Sequence, residues 1–270
     1  MPTLDLYNGD CLEIMKELPD KSVDLIICDL PYGCLTGGGI ATMSEEERKK
    51  KYKGNTGATI HGCAWDIKID LEPFWKEVRR IRKTDHSPCI HFCTTKFGHE
   101  LITSNPSEFR YDLVWDKQRG VSFLSANKMP MRSHEMIYVF SKAGAFYERK
   151  DIEGDFKKYA FKATEDTRPG NWGAKSRTAT ENDGTKRCIL TVIQTPNKTL
   201  RKSAHPTEKP TDLYRFLIER YCPPGGTVLD PTFGSGNSVF TAFEMGRSAI
   251  GIEKDEKFFE KASKRLEALP

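Results

Sequence analysis

Apolar positions along the chain fall into two rhythms. Short continuous runs, VDLIIC at residues 23–28, CIHFCT at 89–94, MIYVF at 136–140 and AIGI at 249–252, have the length of strands buried on both faces. Longer stretches between them carry a helical stripe. In residues 71–82 Leu71, Phe74, Trp75, Val78 and Ile81 recur at spacings of three and four, and in residues 10–18 Leu12, Met15 and Leu18 do the same before Pro19 stops the turn. Further helices are expected at 97–103, 212–221, 238–245 and 256–266, and further strands at 4–7, 111–115 and 227–229. Strands alternating with helices predict an α/β fold, a doubly wound, mostly parallel sheet.

The alternation lapses twice. Residues 33–65 hold GGG, the charged run EEERKKKYK and few apolar positions, so we expect a mobile loop over about 34–64, with one exposed helix near 45–52. Residues 147–202 are rich in Gly, Thr, Asn, Lys and Arg, and only CILTVIQT reads as a strand. The chain is thus expected to divide into a part spanning 1–146, a small inserted module at 147–202, and a part at 203–270 that completes the first domain.

Charge sharpens that division. The 270 residues carry a net +4, yet residues 147–202 alone hold 13 Lys and Arg against 8 Asp and Glu, a net of +5 on an otherwise almost neutral body. A basic module suits a polyanionic partner, and equally a solvated loop region. No run approaches the roughly 20 apolar residues of a membrane span, and the start of the chain lacks the basic-then-apolar signal pattern, so a cytoplasmic location is expected. The eight cysteines form no C-x-x-C pair and sit in apolar stretches, as reduced buried thiols do. Cys89, His91 and Cys93 alternate on one strand; without a second ligand cluster they read as packing groups, and no metal is expected.

Two motifs carry chemistry. In LDPTFGSGNS, residues 229–238, a strand ends, Gly234 and Gly236 make a tight turn and a helix begins; the next strand ends at Glu253. Such a turn lets a ligand approach backbone closely, and an acid at the neighbouring strand tip can accept ribose hydroxyls. The spacing is not the GxGxxG of a dinucleotide fold, which argues against a nucleotide-dependent oxidoreductase. In DLPYG, residues 29–33, the strand 23–28 delivers Asp29 to the carboxyl edge of the sheet, where open α/β folds bind ligands. A carboxylate and backbone carbonyls are acceptors that suit an exocyclic amino group, and Tyr32 offers a ring on which a base can stack. Pro88-Cys89 resembles the nucleophile pair of cytosine carbon-5 methyltransferases, but no ENV-like partner follows. HPTEKP at 205–210 and NGD at 8–10 read alone as a stiff loop and a helix cap.

Taken together and in order, NGDCLEIMKELPDKSVDLIICDLPYG, HEMIYVFSK, AHPTEKP and VLDPTFGSGNS resemble the permuted, beta-group DNA amino-methyltransferases. The resemblance covers about residues 4–33, 71–142 and 203–266. It implies a Rossmann-like methyltransferase sheet, S-adenosylmethionine as methyl donor, double-stranded DNA as partner, base flipping, and a target-recognition module at 147–202. It implies a catalytic motif of Asp29, Leu30, Pro31 and Tyr32, with Leu30 where proline is usual. Phe233, Gly234, Ser235 and Gly236 would surround the methionine part of the donor, with Asp230 beside them. Glu253 would hold the ribose, and Asp10, with Cys11 next to it, the adenine. Thr207, Lys209 and Pro210 would border the methionine tail. Asn237 and Ser238 stand where two threonines are common and keep that wall polar. An aspartate opening the motif points to adenine N6; cytosine N4 and a weakly active or non-catalytic DNA-binding relative are the alternatives. A homodimer and a cognate restriction enzyme accompany some members of the family.

Overall fold

The computed structural model describes residues 1–32, 67–121, 123, 126–154, 184–196 and 208–268. The expected loop at 34–64, most of the basic module and Thr207 lie outside them.

The sheet forms where the apolar runs predicted it. In chain order its strands are β1 (Leu4–Asn8), β2 (Leu25–Cys28), β3 (Cys89–Cys93), β4 (Phe109–Val121), β5 (Arg132–Phe140), β8 (Val192–Gln194), β9 (Thr227–Asp230) and β10 (Ser248–Glu253). In space they lie in the order β1-β10-β9-β2-β3-β5-β4-β8. The first five are mutually parallel, β5 runs antiparallel to β3 and to β4, and β8 pairs parallel to β4 at the far edge.

Every residue of β2 and of β3 is buried, as a strand covered on both faces requires. Alternate side chains feed two separate cores. Leu25 and Ile27 face a core with Leu213, Leu217, Val239, Phe240 and Ala262. Ile26 and Cys28 face another with Met15, Phe74, Trp75, Val78 and Leu101. One face of the sheet is therefore covered by α1 (Cys11–Glu17), α2 (Leu71–Ile81) and α3 (Thr95–Ser104). The other is covered by α4 (Thr211–Tyr221), α5 (Asn237–Glu244) and α6 (Glu256–Glu267). This is the doubly wound α/β architecture.

Helix starts follow local chemistry. The side chains of Asp10, Asp70, Thr94 and Asp255 each accept a backbone N–H in the first turn of α1, α2, α3 and α6. At α5 the capping residue is Gly236, with φ +81° and no side-chain cap.

Two elements depart from expectation. β4 and β5 run well past the apolar runs at 111–115 and 136–140, because a ladder interrupted by a register shift continues through polar residues to the Val121↔Arg132 pair. The strand expected within the basic module, β8, belongs to the main sheet, where Ile193 is buried opposite Trp115. The compact unit that separates from the sheet is Arg149–Leu190. Its described part is a short ladder of β6 (Ile152–Glu153) on β7 (Lys186–Arg187), closed by Gly154 N–H donating to the Thr185 carbonyl at 2.8 Å. Among the described residues no helix is long and apolar enough to cross a membrane.

Candidate active site

β2 and β9 lie side by side, but the chain leaves them in opposite senses. After β2 it goes on to β3 on one side, and after β9 to β10 on the other. That divergence opens a crevice at the carboxyl ends of the two strands, the place where doubly wound folds bind ligands. Asp29 leaves the tip of β2 into it, and Asp230 closes β9 beside it.

A cavity of about 510 Å³ fills the crevice. Asp29, Leu30, Pro31 and Tyr32 line it together with Phe233, Gly234 and Ser235 of the glycine turn, Glu253 at the tip of β10, and Asp10 and Cys11 at the start of α1. Four segments from both ends of the sequence thus converge on one space of a size usual for small-molecule sites.

Both oxygens of Asp29 are engaged. Tyr32 donates its hydroxyl to Oδ1, and the Lys209 ammonium donates to Oδ2. Lys209 is almost fully buried, lies 4.7 Å from the centre of the Phe92 ring, and has Glu135 Oε2 at 3.7 Å on its other side. Glu135 in turn pairs with Lys117. Two carboxylates and two ammoniums therefore alternate in a chain, of which Asp29 and Lys209 line the cavity. Burial raises the Asp29 carboxyl above the usual carboxylate range; Lys209 pulls it back, and the nearby Glu135 charge pushes it up again. Burial works against the Lys209 charge, but Asp29 and Glu135 outweigh it and hold Lys209 as an ammonium. Burial opposes the Glu135 charge as well, yet Lys209 and Lys117 bring it below its ordinary value. Tyr32 rests against Phe97 of α3 with ring centres 5.0 Å apart, which makes an aromatic shelf beside the carboxylate.

The opposite wall is built on backbone. Gly234 has φ +54°, and its N–H donates to Glu253 Oε2 at 2.8 Å, while Asp255 N–H donates to Oε1 at 2.8 Å. Burial still leaves the Glu253 carboxyl raised. Asp10 caps α1 through Leu12 N–H at 3.0 Å and meets Lys254 Nζ at 3.0 Å. Burial raises the Cys11 thiol to about 12, so it lines the cavity as a neutral group.

Other residues singled out from the sequence stand behind this wall. Asp230 accepts from Ser238 Oγ and from Thr232 N–H at 3.0 Å, and burial lifts its carboxyl to about 7. Asn237 donates to Glu208 Oε1 at 2.8 Å and to the Lys209 carbonyl at 3.0 Å, so it fastens the segment that carries Lys209. Pro210 caps α4, and Gly236 turns the chain into α5.

Sequence reasoning missed Glu135, Lys117, Thr232 and Lys254. Thr232 Oγ1 donates to the Asp29 carbonyl at 3.3 Å and ties the two strand tips together. Glu135 directly precedes the apolar run 136–140 as a lone acid, which was the available signal, but only the fold brings it to Lys209. The alternating Cys89, His91 and Cys93 are all buried in the strand, and two of them gain a partner that the sequence did not indicate. Cys89 and His91 meet Cys28 across the sheet, with Cys28 Sγ 4.0 Å from Cys89 Sγ and 3.4 Å from His91 Nδ1. The rings of Phe74, Trp75 and Phe140 pack around His91. Burial resists ionisation of Cys89, but Cys28 and His91 overcome it and bring the thiol to about 6. It is sealed from the crevice, so the Pro88-Cys89 pair offers no accessible nucleophile.

Residues 23–264 match the family model described as DNA methylase, of the N6/N4 type. The chain is 25% identical over 267 residues to the type II methyltransferase M.HinfI of Haemophilus influenzae, covering 97% of this chain and 67% of that protein. It is 24% identical to the type II methyltransferase M.ScaI of Streptomyces caespitosus, covering 97% and 81%. Among solved structures, the cytosine-N4-specific PvuII DNA methyltransferase superposes with a TM-score of 0.64 at 15% identity, covering 98% of this chain and 86% of that one. The complex of M1.HpyAVI with S-adenosylmethionine superposes with a TM-score of 0.59 at 20% identity, covering 97% and 98%. These last two share the fold.

Proposed function

The chain belongs to the N6/N4 DNA methylase family, and from that premise we propose that it transfers a methyl group from S-adenosylmethionine to N6 of adenine in double-stranded DNA. The observation that carries the reading is the single cavity in which Asp29 and Tyr32 face Gly234 and Glu253.

The residues present fit the methyl donor. The glycine turn brings backbone to the cavity wall with no cap side chain at the start of α5. Glu253 supplies a carboxylate at the neighbouring strand tip, the position suited to ribose hydroxyls. Asp10 would accept the adenine amino group, and the segment 208–209 would border the methionine end. When bound, S-adenosylmethionine supplies an electrophilic methyl carbon on a sulfonium.

The chain does the rest by orientation and charge. The target amine is a poor nucleophile because its lone pair is delocalised into the ring. Asp29 accepts one of its N–H bonds, draws the nitrogen toward tetrahedral geometry and frees the lone pair. Tyr32, backed by Phe97, holds the face of a base taken out of the duplex. The raised proton affinity of Asp29 suits it to take the proton that the methylated nitrogen sheds. Lys209 and Glu135 hold this carboxylate in place from behind, so little reorganisation is needed at the moment of transfer.

Adenine is supported by the aspartate that opens the motif. The test is to incubate the protein with unmethylated DNA and tritiated donor, digest to nucleosides and separate the products. N6-methyladenine is expected. N4-methylcytosine would replace the base and keep the site, whereas no labelled nucleoside at all would remove the reading.

A further inference from the structure

The tip of the β4–β5 hairpin has no part in the site as described, yet it stands on the same rim. β5 is antiparallel to β3, and Cys93, the last residue of β3, pairs with Met136. Residues 132–135 therefore run beyond the carboxyl end of β3, on the sheet edge where β2 releases Asp29. β4 accompanies them through the Trp115↔Glu135, Asp116↔His134 and Val121↔Arg132 pairs. Glu135, at the base of this projection, is the residue that joins Lys117 to Lys209. The hairpin is thus fastened to the group that holds Asp29.

Its composition is one-sided. Between Asp116 and Glu135 the chain carries Lys117, Arg119, Lys128 and Arg132 and no carboxylate. Three of the large apolar side chains that the described residues leave exposed are here: Phe123 at 78%, Met129 at 54% and Met131 at 40%. Phe123 is anchored by its backbone, whose carbonyl accepts Ala126 N–H at 2.9 Å, while its ring stays outside. One guanidinium nitrogen of Arg132, NH1, is buried with no hydrogen-bond partner among the described residues. A rim both cationic and apolar matches a phosphate backbone alternating with base faces. A self-associating face would not gather cations alone.

We propose that this hairpin tip enters the target duplex, with Phe123 stacking in the gap left by the extruded base and Arg119 and Lys128 holding the flanking phosphates. The inference rests on the methyl transfer to DNA proposed above and adds the element that stabilises the open duplex. An aromatic ring in the gap recovers part of the stacking lost on extrusion, so it lowers the cost of opening. It matters most while the target base is paired, when opening is costliest.

The target site is first mapped by sequencing methylated bases in DNA treated with the protein, and parent, Phe123→Ala and Phe123→Trp are then compared on two duplexes containing it. One is fully paired, and in the other the nucleotide opposite the target base is abasic. Phe123→Ala is expected to lose roughly 10- to 100-fold in kcat/KM on the paired duplex, the span of a lost base–aromatic stack. On the abasic duplex it should stay within about threefold of parent, because a target base without a pairing partner opens at so much lower cost that the ring's contribution no longer limits the rate. Phe123→Trp should keep the parent rate on both. Arg119→Gln and Lys128→Gln should each reduce the slope of log affinity against log salt by about one. Equal defects of Phe123→Ala on both duplexes, or none on either, would overturn the proposal. So would a defect that tracks loss of a dimer in sedimentation. A parent protein that methylates neither duplex would instead overturn the function it rests on.

Discussion

Replacing Asp29 separates the stability of the site from its chemistry. In Asp29→Ala the Lys209 ammonium loses the carboxylate that accepts from it, and the Tyr32 hydroxyl loses its acceptor. Lys209 is buried, so solvent cannot replace the lost partner, but Glu135 remains 3.7 Å away. Breaking a buried pair from one side costs about 3–5 kcal/mol, and the remaining carboxylate puts this case near the lower end, at roughly 3 kcal/mol. For a chain of this size that corresponds to about 6–12 °C in Tm. Turnover should fall by about 10²–10³, the usual loss when one preorganised hydrogen-bonding group at a reacting atom is removed. The double variant Asp29→Ala/Lys209→Met removes both ends of the pair. It should recover most of the lost stability, because no buried charge is left uncompensated, while turnover stays at the level of the single variant. The assays are thermal unfolding by circular dichroism, donor binding by calorimetry and single-turnover methyl transfer. A double variant whose destabilisation equals the sum of the two single variants would refute the buried-pair reasoning. Parent-level transfer by Asp29→Ala would refute the catalytic assignment.

Because Asp29 binds its proton more tightly than an ordinary carboxylate, the ionised form is lost sooner as pH falls. The acid limb of the kcat–pH profile should therefore lie above the usual carboxylate range, and Glu135→Gln, which removes a repelling charge, should move it to lower pH; a limb unmoved by that change would contradict the coupling. Asp230 holds its proton up to about pH 7 in the folded chain, whereas the unfolded chain releases it near 4. Its contribution to stability is thus fully present below 4 and lost as pH rises toward 7, on the order of 4 kcal/mol in all, and urea midpoints for Asp230→Asn should be flatter across that window than for the parent. A Cβ at Gly251 would stand 2.6 Å from the Phe233 ring and 3.0 Å from Leu6. Gly251→Ala should therefore cost about 1–3 kcal/mol and weaken donor binding through Phe233, while Gly144→Ala, with open space around it, should stay within about 0.5 kcal/mol. Equal stability of the two variants in chemical denaturation would show that the Phe233 wall yields freely.

Much of the site was legible in the chain because its chemistry is local. A buried apolar run ending in Asp29 defines a strand tip with no help from elsewhere, since such a run must be covered on both faces and its carboxyl end must open at the sheet edge. The glycines at 234 and 236 likewise announce a turn, because φ of +54° and +81° is backbone that other residues resist. What the sequence determined by itself was therefore the set of elements and the groups at their ends. The order of strands, and so the meeting of β2 with β9 across 200 residues of chain, came from the tertiary structure. So did the partners of Asp29: Lys209 reads as one cation in a stiff loop, and Glu135 as an acid ahead of an apolar run, until the fold sets them 3.7 Å apart with Lys209 over the Phe92 ring. The excursion of β4 and β5 beyond the sheet was hidden for the same reason. Its outer pairs are held by a ladder already established in the core, not by an apolar alternation of their own, and a strand continued by its neighbour leaves little mark in its own residues.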